Sequence, residues 1–291
     1  MMLDQLTPLI QQQSKRKRGR KAKARPIYVS RKLELDYTRA LLSLVNEMHA
    51  ETVTALMPLI EQTPRVGDSR RRIADSLFSD FKSAFSRTAN TVKAKVSGIA
   101  ETFAKTVVSK QREVSDGQLT DILLKQTGID FSGVMADEAL QEAIDEAVAA
   151  NVALITSIPQ QYLDKVEQAV MASLQAGTLN ATLADELAKI EGVTRNRAKL
   201  IATDQLGKIN SRLSQVRQQS LGITHYTWST SQDERVRAKH NNREGDMIAW
   251  NNPPPDGHPG QPIRCRCTAI PYTDHLTGGP TAEEAMGLQN E

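Results

Sequence analysis

Both tryptophans, both cysteines and three of the five histidines of this 291-residue chain fall within residues 225–272. Five prolines (Pro253, Pro254, Pro255, Pro259 and Pro262) interrupt the same stretch. The sequence before it is rich in helix formers and poor in aromatics. A block that gathers the scarce residue types is expected to fold as its own small unit. The remainder, with 39% hydrophobic but only 4% aromatic residues, suits helices built on Ala, Leu, Val and Ile better than a β-sandwich. The expected fold class is therefore mainly α: a long helical N-terminal region followed by a small C-terminal α+β module. Four segments are expected: a disordered basic segment (1–30), a helical domain (31–221), the module (222–275) and a flexible tail (276–291).

Apolar spacing predicts the helices. Over residues 33–62, Leu41, Val45, Met48, Ala55 or Leu56, and Leu59 share a face that has one polar gap at Thr52. Pro58 is expected to kink or end this helix, and Pro64 and Gly67 mark a break. Asp68 or Ser69 then caps a second helix, with Ile73, Leu77, Phe81, Phe85, Val92, Val96, Ile99, Phe103 and Val107 inward. Ending near Val114, it would be roughly 70 Å long at about 1.5 Å per residue, which suggests a hairpin or a stalk packed on a partner. Ser115-Asp116-Gly117 reads as a turn before a short helix over 118–126. The acidic stretch 130–150 reads as the solvent face of a helix with Leu140, Ile144 and Val148 inward, and it lacks the loop of a calcium site. Residues 151–159 end at Pro159, a helix over 160–176 stops at Gly177, and Thr182 to Asp185 resembles a capping box for a short helix to Ile190. Thr194 starts the last long helix, with Leu200, Leu206, Ile209, Leu213 and Val216 inward. Arg195, Arg197, Lys199, Lys208, Arg212 and Arg217 are expected outward.

The net charge of +3 is unevenly spread, with eight of the 37 basic residues in 15–25. Lys15, Arg16, Lys17, Arg18, Arg20, Lys21, Lys23 and Arg25 repel one another and have nothing apolar to bury, so the segment reads as disordered. Such a run neutralises phosphates without reading sequence, and its DNA binding would be salt-sensitive. The longest apolar run is too short to span a bilayer and contains Asn151. The N-terminus carries its charges after its apolar residues, unlike a signal peptide. Neither a membrane segment nor a membrane partner is expected. The C-x-C pair does not make a disulfide framework, and a reducing compartment is expected.

Within the block, residues 225–228 and 263–270 alternate like strands and are expected to pair across the proline loop. Cys265 and Cys267 would then share a strand face, their sulfurs near one metal ion. With His240 and His258 they offer a tetrahedral Cys2His2 set, for which a structural zinc ion is the expected cofactor. Zinc binding would add folding stability to a module with a limited core. The spacing lacks the C-x2-C and H-x3-H signatures of zinc sites. The competing reading makes the cysteines small buried hydrophobes and the histidines partners of turn backbone. Asp233, Arg235, Arg237 and His240 also offer an acid–base centre for an enzyme acting on nucleic acid or transferring a group. No nucleophile, zinc-protease or phosphate-loop motif accompanies them. Asp233 is expected instead to cap the helix carrying Arg235, Arg237 and His240, or to pair with one of those arginines. Trp228, Trp250 and Tyr272 are expected to form the small core beneath the proline loop.

Trp228-x4-Asp233-x-Arg235-x-Arg237-x-x-His240, then Gly245, then a proline-rich loop running into Pro259-Gly-Gln-Pro-Ile-Arg-Cys265-Arg-Cys267-Thr-x-x-Pro271, resembles the C-terminal domain of the phage Mu F-like minor head proteins. The resemblance extends upstream through residues 151–162, Gly177 and residues 197–203. It covers roughly 140–272 and leaves 1–139 unmatched. In family variants the histidine often lies closer to the C-R-C element, whereas His258 precedes Cys265 by seven positions. The resemblance implies a non-enzymatic head morphogenesis protein of a tailed phage. Such a protein is a low-copy virion component of the capsid interior near the portal, present in the host cytoplasm during assembly. Its implied partners are the portal protein, the major capsid or scaffold protein, and packaged DNA without sequence preference. A DNA-binding protein with no head role is the other non-enzymatic reading.

Overall fold

A computed structural model describes residues 7–8, 10–12, 25–61, 70–133, 138–176 and 183–289. Four long helices dominate: α1 (Arg31–Glu61), α2 (Arg70–Thr127), α3 (Glu138–Ala176) and α4 (Leu183–Ser220). After them come β1 (His225–Ser229), the one-turn helix α5 (Ala238–Asn241), β2 (Met247–Ala249), β3 (Thr268–Pro271), a 3-10 turn (Asp274–Thr277) and α6 (Ala282–Gln289). The expectation of a mainly α chain ending in a small α+β module holds. Among the described residues, no helix is long and apolar enough to cross a membrane.

Three expected helix boundaries do not exist. Ser115-Asp116-Gly117 lies inside α2, because its polar side chains bond to α4 rather than to their own backbone. Ser115 Oγ and Gln111 Nε2 donate to Asn210 Oδ1 at 2.9 and 3.1 Å. The Asp116 carboxylate accepts two bonds from the Arg217 guanidinium, at 2.8 and 2.7 Å. Arg217, expected on the solvent face, is therefore buried. Pro159 lies within α3, where the fully buried Ile155, Ile158 and Tyr162 around it offset the roughly 3 kcal/mol cost of an interior proline. Thr194 does not start a helix. Its hydroxyl bonds back to Ile190 O at 2.8 Å, and α4 runs on through Gly192. Thr52, the polar gap in α1, is satisfied likewise by Met48 O and is fully buried. Ile99, expected inward, is 50% exposed, and Ala100 takes the inward place.

Contacts divide the chain into two compact units. One comprises residues 35–105 and 148–202, all helical where described. It is held by apolar stripes and by buried polar pairs such as Tyr37 Oη donating to Asn151 Oδ1 at 2.8 Å. The other comprises residues 1–34, 106–147 and 203–291. Its core joins Leu119, Ile122 and Leu123 of α2 with Phe131, Leu221, Ile223 and Leu276. Leu276 belongs to the stretch read as the tail, in which the 3-10 turn ends and α6 lies.

In this second unit, the three strands form an antiparallel sheet in the order β2-β1-β3. Tyr226 lies opposite Ile248 and Pro271, and Trp228 lies opposite Ala269. The alternation in the sequence does not foreshadow β2. Residues 263–267, expected to be strand, are turn and irregular chain, because Arg264 adopts a left-handed φ of 59° and Cys265 N bonds to Pro262 O. The sheet and proline loop rest on α4. Gln218 accepts from Trp250 Nε1 at 3.1 Å and donates to Ala269 O at 3.4 Å. Asp204 accepts from Arg264 N at 3.0 Å. Gly260, at φ 86°, lies so close to α4 that a Cβ there would meet Gly207 O at 2.9 Å and Ser211 Cβ at 3.0 Å.

These bonds and close approaches can be tested by substitution. Arg217→Ala leaves Asp116 with only the longer contact to Arg112, at 3.5 Å, and should cost about 2 kcal/mol in urea unfolding; a loss below about 0.5 kcal/mol would show the pair to be incidental. Gly260→Ala should cost about 1–3 kcal/mol through its φ and its clash with the helix. Gly207→Ala, whose Cβ meets Cys265 O only at 3.4 Å, should be neutral or stabilising, since it also improves helix propensity. Equal losses in both variants would refute the close-approach account.

Candidate metal centre

The site is assembled by short-range structure on either side of the sheet. After β1 the chain turns at Gln232, whose φ is 50°, and Asp233 Oδ1 accepts from Arg235 N at 3.0 Å. Arg237 occupies the N-cap position of α5 without a side-chain cap, and its guanidinium donates to Ile263 O at 2.6 Å. That bond ties the α5 turn to the chain just before Cys265. The turn carries His240 inward, where the residue is 2% exposed. From the other side, the turn at Pro262–Cys265 brings in Cys265 and Cys267, both buried free thiols.

Three of the four expected ligands meet. His240 Nδ1 lies 3.5 Å from Cys265 Sγ and 3.5 Å from Cys267 Sγ. All three ligand atoms fall within 4.8 Å of one another, and this is the one such group among the described residues. His258 stands apart, its Nδ1 3.0 Å from the Tyr226 hydroxyl and its ring against Trp250. Burial pushes His258 down, so it is held neutral, and burial pushes the Tyr226 phenol up. The two thiols form a coupled pair. The hydrogen bond between them lowers Cys265 and raises Cys267.

On the far side of the imidazole, His240 Nε2 lies 3.0 Å from Asp256 Oδ2. The same carboxylate accepts from Lys239 and Arg243 at 2.7 Å each. Burial pushes Asp256 up, but the bonds from Lys239, Arg243 and His240 outweigh it and hold the carboxyl well below the usual range. The Arg243 guanidinium also lies 5.2 Å from the Trp228 ring centre. Sequence reasoning does not single out Asp256, Arg243 or Gln218. Asp256 reads as a turn residue between Pro255 and Gly257, and the available hint is a lone carboxylate in a loop crowded with histidine and proline.

Other expected residues take different places. Asp233 pairs with Arg266 at 2.6 Å rather than with Arg235 or Arg237, and it is His240's partner in no hydrogen bond, Asp256 being that partner. The acid–base pair of Asp233 and His240 is thus not assembled. Trp228 and Trp250 are core residues as expected, but Tyr226, 4.3 Å from Trp250 between ring centres, fills the third aromatic place. Tyr272 is half-buried and donates to Pro280 O. Arg235 is exposed. Of the basic segment, Arg25 is exposed, while Lys15, Arg16, Lys17, Arg18, Arg20, Lys21 and Lys23 lie outside the described residues.

Residues 164–270 match the family described as Phage Mu protein F like protein. An uncharacterized protein of Haemophilus influenzae is 34% identical over an alignment of 272 residues that covers 90% of this chain. The chain spans 58% of that relative's length. No solved structure matches. The resemblance read from the tryptophan, the D-x-R-x-R-x-x-H run and the C-R-C element is borne out by the family match over residues 164–270.

Proposed function

We propose that this protein acts in head morphogenesis of a tailed phage, as a minor structural component near the portal. The family match over residues 164–270 carries the reading. The motif residues in that stretch are spent on architecture: Trp228 in the core, Asp233 on Arg266, Arg237 on the Ile263 carbonyl, His240 buried against Asp256. This use favours a structural role over the enzyme reading built on Asp233 and His240. The helices would offer the docking surface for the portal and for major capsid or scaffold protein. The basic segment 15–25 would contact packaged DNA through phosphates. The protein would reside in the capsid interior, reaching it from the host cytoplasm during assembly.

Quantitative mass spectrometry of procapsids and virions of the encoding phage tests the head role. A few copies per particle in fixed ratio to the portal are expected; absence from both particles would refute it. Deleting residues 15–25 should weaken DNA binding and reduce its salt slope by roughly 0.9 for each phosphate that is no longer neutralised. Unchanged affinity and slope would remove DNA from the set of partners.

A further inference from the structure

The His240, Cys265 and Cys267 cluster has a feature that a hydrogen-bonded core does not require. An ionised carboxylate only accepts hydrogen bonds, and Lys239 and Arg243 keep Asp256 ionised. The His240 nitrogen facing Asp256, Nε2, must therefore carry the proton. In the neutral ring, Nδ1 then presents a lone pair, and it faces both sulfurs at the same distance, 3.5 Å. One lone pair takes one thiol proton, so hydrogen bonding to the imidazole does not by itself require both sulfurs at the same distance. Tetrahedral zinc accounts for the equal distances. Bond lengths of about 2.0–2.1 Å to nitrogen and about 2.3 Å to sulfur give a nitrogen–sulfur edge of about 3.6 Å.

Surrounding groups serve the same end. Gly260 N donates to Cys265 Sγ at 3.4 Å. The indole N–H of Trp228 is buried and has no hydrogen-bond partner among the described residues. An N–H donor directed at Cys265 suits a thiolate, and a carboxylate behind the imidazole is the outer partner that fixes a metal-bound histidine. Two thiolates and an imidazole select zinc over magnesium or calcium.

We propose that His240 Nδ1, Cys265 Sγ and Cys267 Sγ bind one zinc ion, with Asp256 orienting His240 from behind and a water molecule in the fourth position. His258 is not a ligand, since Tyr226 and Trp250 hold it elsewhere. The ligands are 2–8% exposed, which gives a substrate no route to the metal, so the ion is structural. It staples α5 to the chain entering β3, and through Asp256 it fixes the proline loop. The inference rests on the module's own geometry and is independent of the role in phage heads.

The test is the metal content of the full chain, purified without chelator, with a cobalt(II) titration of the metal-free protein. About one zinc per chain is expected, and cobalt should give thiolate charge-transfer absorption with tetrahedral d–d bands. Cys265→Ser, Cys267→Ser and His240→Ala should each lose the ion, while His258→Ala should keep it. Asp256→Asn, which leaves all three ligands in place, should weaken zinc binding about 10- to 100-fold. A metal-free chain that also gives no cobalt spectrum would overturn the proposal. So would full metal binding by Cys267→Ser, or loss of the ion from a folded His258→Ala variant. Because His258→Ala and Asp256→Asn spare the ligands, the ligand set stays testable even if a cysteine variant fails to fold.

Discussion

The contact between Gly260 and α4 governs where everything in the C-terminal module lies. At that point two backbones touch, with no room for a side chain on the loop. The loop is thereby pinned, and the turn that follows it delivers Cys265 and Cys267 to a fixed place. Gln218 and Asp204 extend the same seat in both directions, one holding the sheet through Trp250 and Ala269, the other holding Arg264 in its left-handed conformation. The helix is in turn fixed by its buried bonds to α2, where Arg217 meets Asp116 and Asn210 meets Gln111 and Ser115. Rigid support of this kind turns a proline-rich loop, which is otherwise free to wander, into a precise scaffold.

The α5 turn solves the complementary problem. His240 sits on a helix of a single turn that has little stability of its own. It is held from outside, by Arg237 on the Ile263 carbonyl and by the Asp256 carboxylate that collects Lys239, His240 and Arg243. Two of these three partners lie on α5 itself and one just beyond it, so Asp256 acts as the anchor of that turn. The same carboxylate fixes the imidazole's tautomer. The bonds that hold the turn and the bond that orients the imidazole are thus one set.

The fold class and the chemical character of the site are legible in the sequence, because both depend on composition and local order. Clustered Trp, Cys and His residues locate the module, and the C-x-C pair with His240 identifies the residues that meet. The failures share a cause. Ser115, Asp116, Pro159 and Thr194 carry local signals for turns and helix ends, and tertiary or helical partners override each of them: Asn210, Arg217, a fully buried apolar stripe, and the Ile190 carbonyl. Local preferences of about 1–3 kcal/mol yield to a buried network of that size. His258 misleads for a different reason. Its residue type fits a metal ligand, but only three dimensions reveal that Tyr226 and Trp250 already occupy it. Asp256 is invisible for the converse reason, since its importance lies in three partners spread over residues 239–243.

The reach of the family match has a physical meaning in this light. It begins at residue 164, well before the first strand, and so includes all of α4. A module cut at the start of the sheet would leave the Trp250 indole N–H and the Arg264 amide without their α4 acceptors, and would remove the surface against which Gly260 is packed. Its three strands have three to five residues each, too few to bury a core independently. The unit that carries the chemistry is therefore sheet, loop and helix together, and the residues that matter on the helix are not the ones a motif would highlight. Gln218 is defined by two bonds to partners 32 and 51 positions away. A structural role makes sense of that distribution: the residues of the motif and of its seat are used to hold one another.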